Sequence, residues 1–125
     1  MKVKVTLTAE DLISRKKTVL AEGAALYDGK RLLYKEKDTG AKHEITHTDE
    51  GLKIRRSGDV VSETFLPHHG QGTSSIISEY GTMQVDAICE HILINEDKWT
   101  VTYRIESQGD VSLHQRLEWH IDPFV

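Results

Sequence analysis

Apolar and polar residues alternate with a period of two along most of the chain. Val3, Val5 and Leu7 alternate with Lys2, Lys4 and Thr6, the mark of a strand with one face on a core and the other in water. Thr8-Ala9-Glu10-Asp11 reads instead as a helix start, with Thr8 as cap and acids in the first turn. At most one short helix, of one or two turns, is therefore expected before Thr18. The next strand covers residues 18–27, with Gly23 inside it as a candidate bulge.

Reversals then recur along the chain. Asp28-Gly29 is a strong hairpin signal leading into residues 31–37. Asp38-Thr39-Gly40, Asp49-Glu50-Gly51 and Ser57-Gly58-Asp59 bound strands at 42–48, 52–56 and 60–66. Residues 67–72, from Pro67 through His68 and His69 to Gly72, read as the longest glycine-rich connection, followed by strands at 73–80 and 83–94. Asn95-Glu96-Asp97 and Gln108-Gly109-Asp110 set off the last two strands, 99–106 and 111–122. Turns about every ten residues predict an all-β domain of roughly eight to ten strands. The unbroken series of short hairpins favours an antiparallel up-and-down meander closed into a β-barrel over a Greek key. With no repeat or linker, residues 1–125 form a single domain.

The same alternation assigns faces. Leu32 and Tyr34 share a face with Glu36, and Leu52 and Ile54 share one with Arg56. Trp99, Val101, Tyr103 and Ile105 form another set, as do Val111, Leu113, Leu117, Trp119 and Ile121. Glu36 and Arg56 are the informative members, because a charge continuing an apolar face is either solvated at the rim or buried and paired. In the second case they meet inside the barrel mouth, where a guanidinium suits an anionic ligand.

Composition narrows the classes of function. A net charge of −4 and a pI near 5.9 disfavour nucleic acid as a partner. A hydrophobic content of 38% and mean hydropathy of −0.45, with no long apolar run, disfavour a membrane. The charged, alternating start and the lone Cys89 point to a cytoplasmic chain. Seven histidines invite a metal. His43 and His47 share a strand face but stand about 13 Å apart along it, and His68-His69 reads as a surface pair. Cys89 falls on a face with Val85, Ala87 and Leu93, as a buried inert thiol, with His91 the nearest base. Gly70-Gln71-Gly72-Thr73 lacks the Lys and the helix of a phosphate-binding loop. No metal or cofactor is expected.

Tyr34-Lys35-Glu36, Arg56-Ser57-Gly58 and Tyr80-Gly81 before a long strand, together with the strand order, resemble the YwiB-like family of small bacterial proteins. That resemblance implies a calycin-type, lipocalin-like barrel with an interior pocket, and supplies no catalytic residue. The chain departs from the family pattern at Ser78-Glu79, where Thr-Pro is usual, and so keeps a backbone donor at Glu79.

The expected function is binding of a small amphipathic or anionic ligand, held by Arg56, oriented by Glu36 and Tyr34, with Tyr103 also lining the site. The alternative is a module that docks a cytoplasmic protein through an exposed edge strand or the 68–73 loop. An enzyme is the weakest reading, since it needs an acid and a base converging on Glu36 or Glu79 that spacing does not place.

Overall fold

The alternation resolves into ten antiparallel strands and no helix in a computed structural model that describes residues 1–123. The strands are β1 (Lys2–Asp11), β2 (Lys17–Tyr27), β3 (Arg31–Lys35), β4 (Lys42–Thr48), β5 (Gly51–Ser57), β6 (Val61–Pro67), β7 (Gly70–Ser78), β8 (Gly81–Ile94), β9 (Lys98–Ser107) and β10 (Asp110–Pro123). Each pairs with its successor, and β1 pairs with β10 from Val3↔Pro123 to Asp11↔Gln115, closing the barrel. The meander is as expected from the run of hairpin turns.

The helix expected at Thr8 does not form, because Thr8 to Asp11 continue β1 opposite Glu118 to Gln115 and bury Ala9 and Glu10. The Asp11 signal belongs to a turn. Its Oδ1 accepts hydrogen bonds from the Ile13 and Ser14 amides at 2.8 and 3.0 Å, which hold its carboxyl below the usual carboxylate range. The 67–72 connection is likewise shorter than expected. β6 ends at Pro67 and β7 begins at Gly70, so only residues 68–69 turn, and Gly70 to Gly72 lie in the sheet opposite Cys89 to Ala87.

Bulges reset the facing of three strands. Leu20 is skipped between β1 and β2, Glu90 between β8 and β9, and Ser112 between β9 and β10. Past Glu90 the inward residues become Ile92 and Ile94, so Leu93 and His91 leave the face they were expected to share with Cys89. Val111 pairs with Glu106, off the inner face, and is exposed, while Gln115 joins the inner set.

The turns at 28–30, 49–50, 68–69 and 95–97 lie at one end, here the lower, and those at 12–16, 36–41, 58–60, 79–80 and 108–109 at the upper. The lower half is packed. Trp99, Trp119, Leu32, Ile45, Leu52, Leu66 and Val101 are all inaccessible to solvent, each contributing about 1.5–3 kcal/mol by burial. Tyr27 closes that end edge-on to Trp99, with ring centroids 5.9 Å apart.

The upper half differs. Because strands tilt in a closed barrel, one row of paired residues climbs from end to end, here Leu32↔Ile45↔Ile54↔Thr64↔Ser74↔Val85. Leu32 and Ile45 are fully buried, whereas Ile54, Thr64, Ser74 and Val85 face inward yet remain half-exposed. The barrel is fully packed below, and along this row its inner face is only partly covered above.

One close approach tests this register. A Cβ on Gly72 would sit 1.8 Å from the Phe65 carbonyl oxygen, whereas one on Gly58 would come no nearer than 3.3 Å to the Ala41 methyl and 3.8 Å to Arg56 Nη1. Gly72→Ala is expected to destabilise by about 1–3 kcal/mol, the range for overpacking, and by clearly more than Gly58→Ala, as read from urea-unfolding midpoints.

Candidate functional site

Hairpin register brings the upper polar residues together. β3 and β4 set Tyr34 opposite His43, and β4 and β5 set His43 opposite Arg56. Glu36 follows β3 directly, and its backbone closes the 36–41 turn through Glu36 N–H to Ala41 O at 2.9 Å and Gly40 N–H to Glu36 O at 3.0 Å. Gly40 there has φ of 72°, a left-handed conformation suited to glycine.

Within this frame Arg56 donates to Glu36 through two nitrogens, Nε to Oε2 at 2.8 Å and Nη2 to Oε1 at 3.0 Å. The fork geometry gives the pair both strength and a fixed orientation. Thr39 Oγ1 donates to Glu36 Oε1 at 2.6 Å, and His43 Nε2 lies 2.5 Å from Glu36 Oε2. The His43 ring stacks on Tyr34 with centroids 4.8 Å apart and planes 13° from parallel. Below it, Trp119 Nε1 donates to the Tyr34 hydroxyl at 3.1 Å. A continuous chain thus runs from the buried Trp119 to the half-exposed Arg56.

The electrostatics follow the contacts. Arg56 chiefly, then Thr39 and His43, hold the Glu36 carboxyl far below its ordinary value against the opposing effect of desolvation. Glu36 in turn raises Arg56, and burial raises the Tyr34 phenol. Glu36 is therefore a fixed anion and a poor proton shuttle. Arg56 is not an empty anion receptor, because its Nε and one Nη donor are spent; its side chain keeps 37% exposure toward solvent.

Glu36 and Arg56 do meet, as a part-exposed pair at the rim of the barrel, and Tyr34 belongs to the same cluster. Tyr103 stands apart. It is buried on β9, where its hydroxyl accepts a hydrogen bond from Gln115 Nε2 at 2.7 Å and burial raises its pKa. Sequence reasoning missed His43 and Thr39 as members. From sequence, His43 reads only as a metal ligand, though counting back from the 49–50 turn places it opposite Arg56.

Other candidates are separate. Among the described residues, no group of three His, Cys, Asp or Glu side chains could hold a metal. His47 packs edge-on to His68 at 5.5 Å near the lower end, and burial lowers its pKa. Cys89 is buried, which raises its thiol pKa. On the outer wall, Arg104 bridges Glu90 and Glu106, and His114 meets Glu90 at 2.7 Å. Trp99 Nε1 is buried without a hydrogen-bond partner among the described residues.

Comparison with known proteins adds family and fold. A family model described as "Domain of unknown function (DUF1934)" matches residues 2–118. The crystal structure of the ywiB protein from Bacillus subtilis superposes with a TM-score of 0.66 at 14% identity, over 99% of this chain and 91% of that one. Such a likeness speaks for the fold alone. No curated protein matches.

Two outcomes are expected of the charge cluster. Arg56→Met leaves the Glu36 carboxylate partly buried without its main partner and should cost about 1–3 kcal/mol in urea unfolding. The pH dependence has a fixed sign. Since folding lowers the Glu36 pKa below its ordinary 4.5, its contribution is complete above that value and is lost as pH falls below it. The stability gap between wild type and Glu36→Gln should therefore be widest near neutrality and shrink through the acid range.

Proposed function

The chain belongs to DUF1934, a family defined by its domain and not by an activity, and we propose that its barrel binds a small amphipathic molecule in the open upper half. The observation that carries this reading is the climbing row, in which mid-strand residues that face inward stay half-exposed. Apolar Ile54, Val85, Ile105 and Leu113 line that half beside the hydroxyls of Thr64 and Ser74, which bond each other at 2.8 Å. Apolar walls with a few converging polar groups are what small-molecule sites are made of.

Arg56 forms the polar limit of this lining. Its remaining N–H groups suit a carboxylate or phosphate, while the Glu36 pair cancels most of its charge and favours a singly anionic or uncharged polar head. Tyr34 and His43 form a flat wall next to it, and Tyr103 with Gln115 supplies a second polar point. This is the interior-binding mode of calycin-type barrels. No catalytic residue is proposed, since Glu36 is locked in its ion pair and Cys89 is buried and uncharged.

Docking of a protein through the 68–73 segment is less well supported, because Gly70 to Thr73 are paired within the sheet. The outward faces of β1 and β10 carry Lys2, Lys4, Arg116, Glu118 and His120, unlike the apolar band of a membrane barrel. A cytoplasmic setting without membrane or nucleic-acid partners fits that surface.

Native mass spectrometry of protein purified from cells without detergent, with thermal-shift screening against fatty acids and nucleotides, tests the reading. A retained mass, or a rise in Tm with one of these classes, is expected, and Val85→Trp should abolish it while the variant stays folded by circular dichroism. Absence of both retention and shift in the wild type would overturn it.

A further inference from the structure

Closure of the barrel leaves one stretch of strand edge uncovered. β2 pairs with β1 from Lys17 to Leu26, but with β3 only from Ala25 to Tyr27. β3 ends at Lys35, and the chain turns away toward β4. Among the described residues, no backbone hydrogen bond reaches residues 17–24 from the β3 side. The place a longer β3 would fill is a groove of about 610 Å³ between Val19 to Gly23 and the 35–39 segment. Val19 and Leu20 stand there 57% and 52% exposed.

Unpaired N–H and C=O groups in a row call for another extended strand, spaced about 4.8 Å away. The residues of this edge specify which strand. In an antiparallel pairing of the segment with itself about a two-fold axis between Val19 and Leu20, Lys17 falls opposite Glu22 of a second copy, and Val19 falls opposite Leu20. The bulge at Leu20 is what makes this work. Lys17 and Glu22 are an odd number of residues apart and would point to opposite faces in a regular strand, but the skipped residue puts both on the outer face, opposite Glu10 and Thr6. Lys17 makes no ion pair within the chain among the described residues, and Glu22 is half-exposed with only Lys4 at 3.2 Å.

We infer that this chain forms a two-fold symmetric dimer by antiparallel addition of its β2 edge, residues 17–22, to the same edge of a second copy. Isologous pairing places the Lys17–Glu22 contact twice in one interface, with the exposed Val19 and Leu20 side chains at its centre. Lys17 thus discourages indiscriminate strand addition, as edge lysines do, and admits the one register that meets it with an acid.

The inference does not rest on ligand binding: Glu36 and Thr39 border the groove, but the paired edge itself, residues 17–22, contains none of the residues proposed to line the barrel. Sedimentation velocity on the full chain, over roughly two orders of magnitude of concentration into the high micromolar range, should show a monomer–dimer equilibrium. Lys17→Glu and Glu22→Lys each place like charges opposite one another twice, and each should weaken the dimer roughly tenfold or more. The doubly exchanged Lys17→Glu/Glu22→Lys variant should regain it, which also excludes misfolding as the cause. A wild type that stays monomeric throughout overturns the inference, and so does a dimer indifferent to both single changes.

Discussion

Each side chain in a sheet has only two directions available, and in a closed barrel those two become inside and outside. The pairing register therefore decides more about this molecule than any single contact. Once β3 to β8 are aligned, the row from Leu32 to Val85 follows, and with it the passage from a dry floor to hydroxyl-bearing, half-open walls. The next row up, Tyr34↔His43↔Arg56↔Ser62, follows from the same alignment and delivers the charge cluster. Slipping β4 by one residue would turn His43 and Ile45 outward together.

Two consequences of that alignment act against each other at the mouth. Apolar inner positions favour closing the barrel with more packing, while Glu36 and Arg56 resist full burial because their desolvation must be offset by pairing. The molecule settles this by pairing the charges with each other at the rim and tying them through His43 and Tyr34 to Trp119. The ion pair thus stiffens the 36–41 turn and leaves the adjoining lining accessible. The 36–41 turn is also where β3 stops short, so the feature that supports the site is next to the one that bares the β2 edge.

Much of the fold was legible in the chain because its turns are chemically explicit. Asp28-Gly29, Asp49-Glu50-Gly51 and Gln108-Gly109-Asp110 all reverse direction where their residue types require, and the strands between them alternate without ambiguity. The errors arose where local chemistry has two meanings. An acid two residues ahead of a free amide can open a helix or an Asx turn, and only the pairing of β1 with β10 across the chain separates the two at Asp11. Bulges were invisible for the same kind of reason. Glu90 and Ser112 are ordinary strand residues, and only their partners' spacing reveals that they are skipped. In the candidate site, Tyr34, Glu36 and Arg56 announced themselves as polar groups on apolar faces. His43 did not, because an imidazole on an inner face is ordinary until its neighbour across the sheet is known.

Nine of the ten pairings join strands adjacent in sequence, and the last joins Val3 to Pro123. Loop-closure entropy rises with the length of chain enclosed, so this contact is the costliest to nucleate and depends on all the others to bring its partners near. It also imposes an order in time. During synthesis β1 emerges before the other nine strands and β10 after them, so β1 waits with one edge unpaired while the strands between are made. Its outward Lys2 and Lys4 and the acid at Glu10 then have a duty before the native state exists. They keep that open edge soluble and unattached until β10 has been made to cover it.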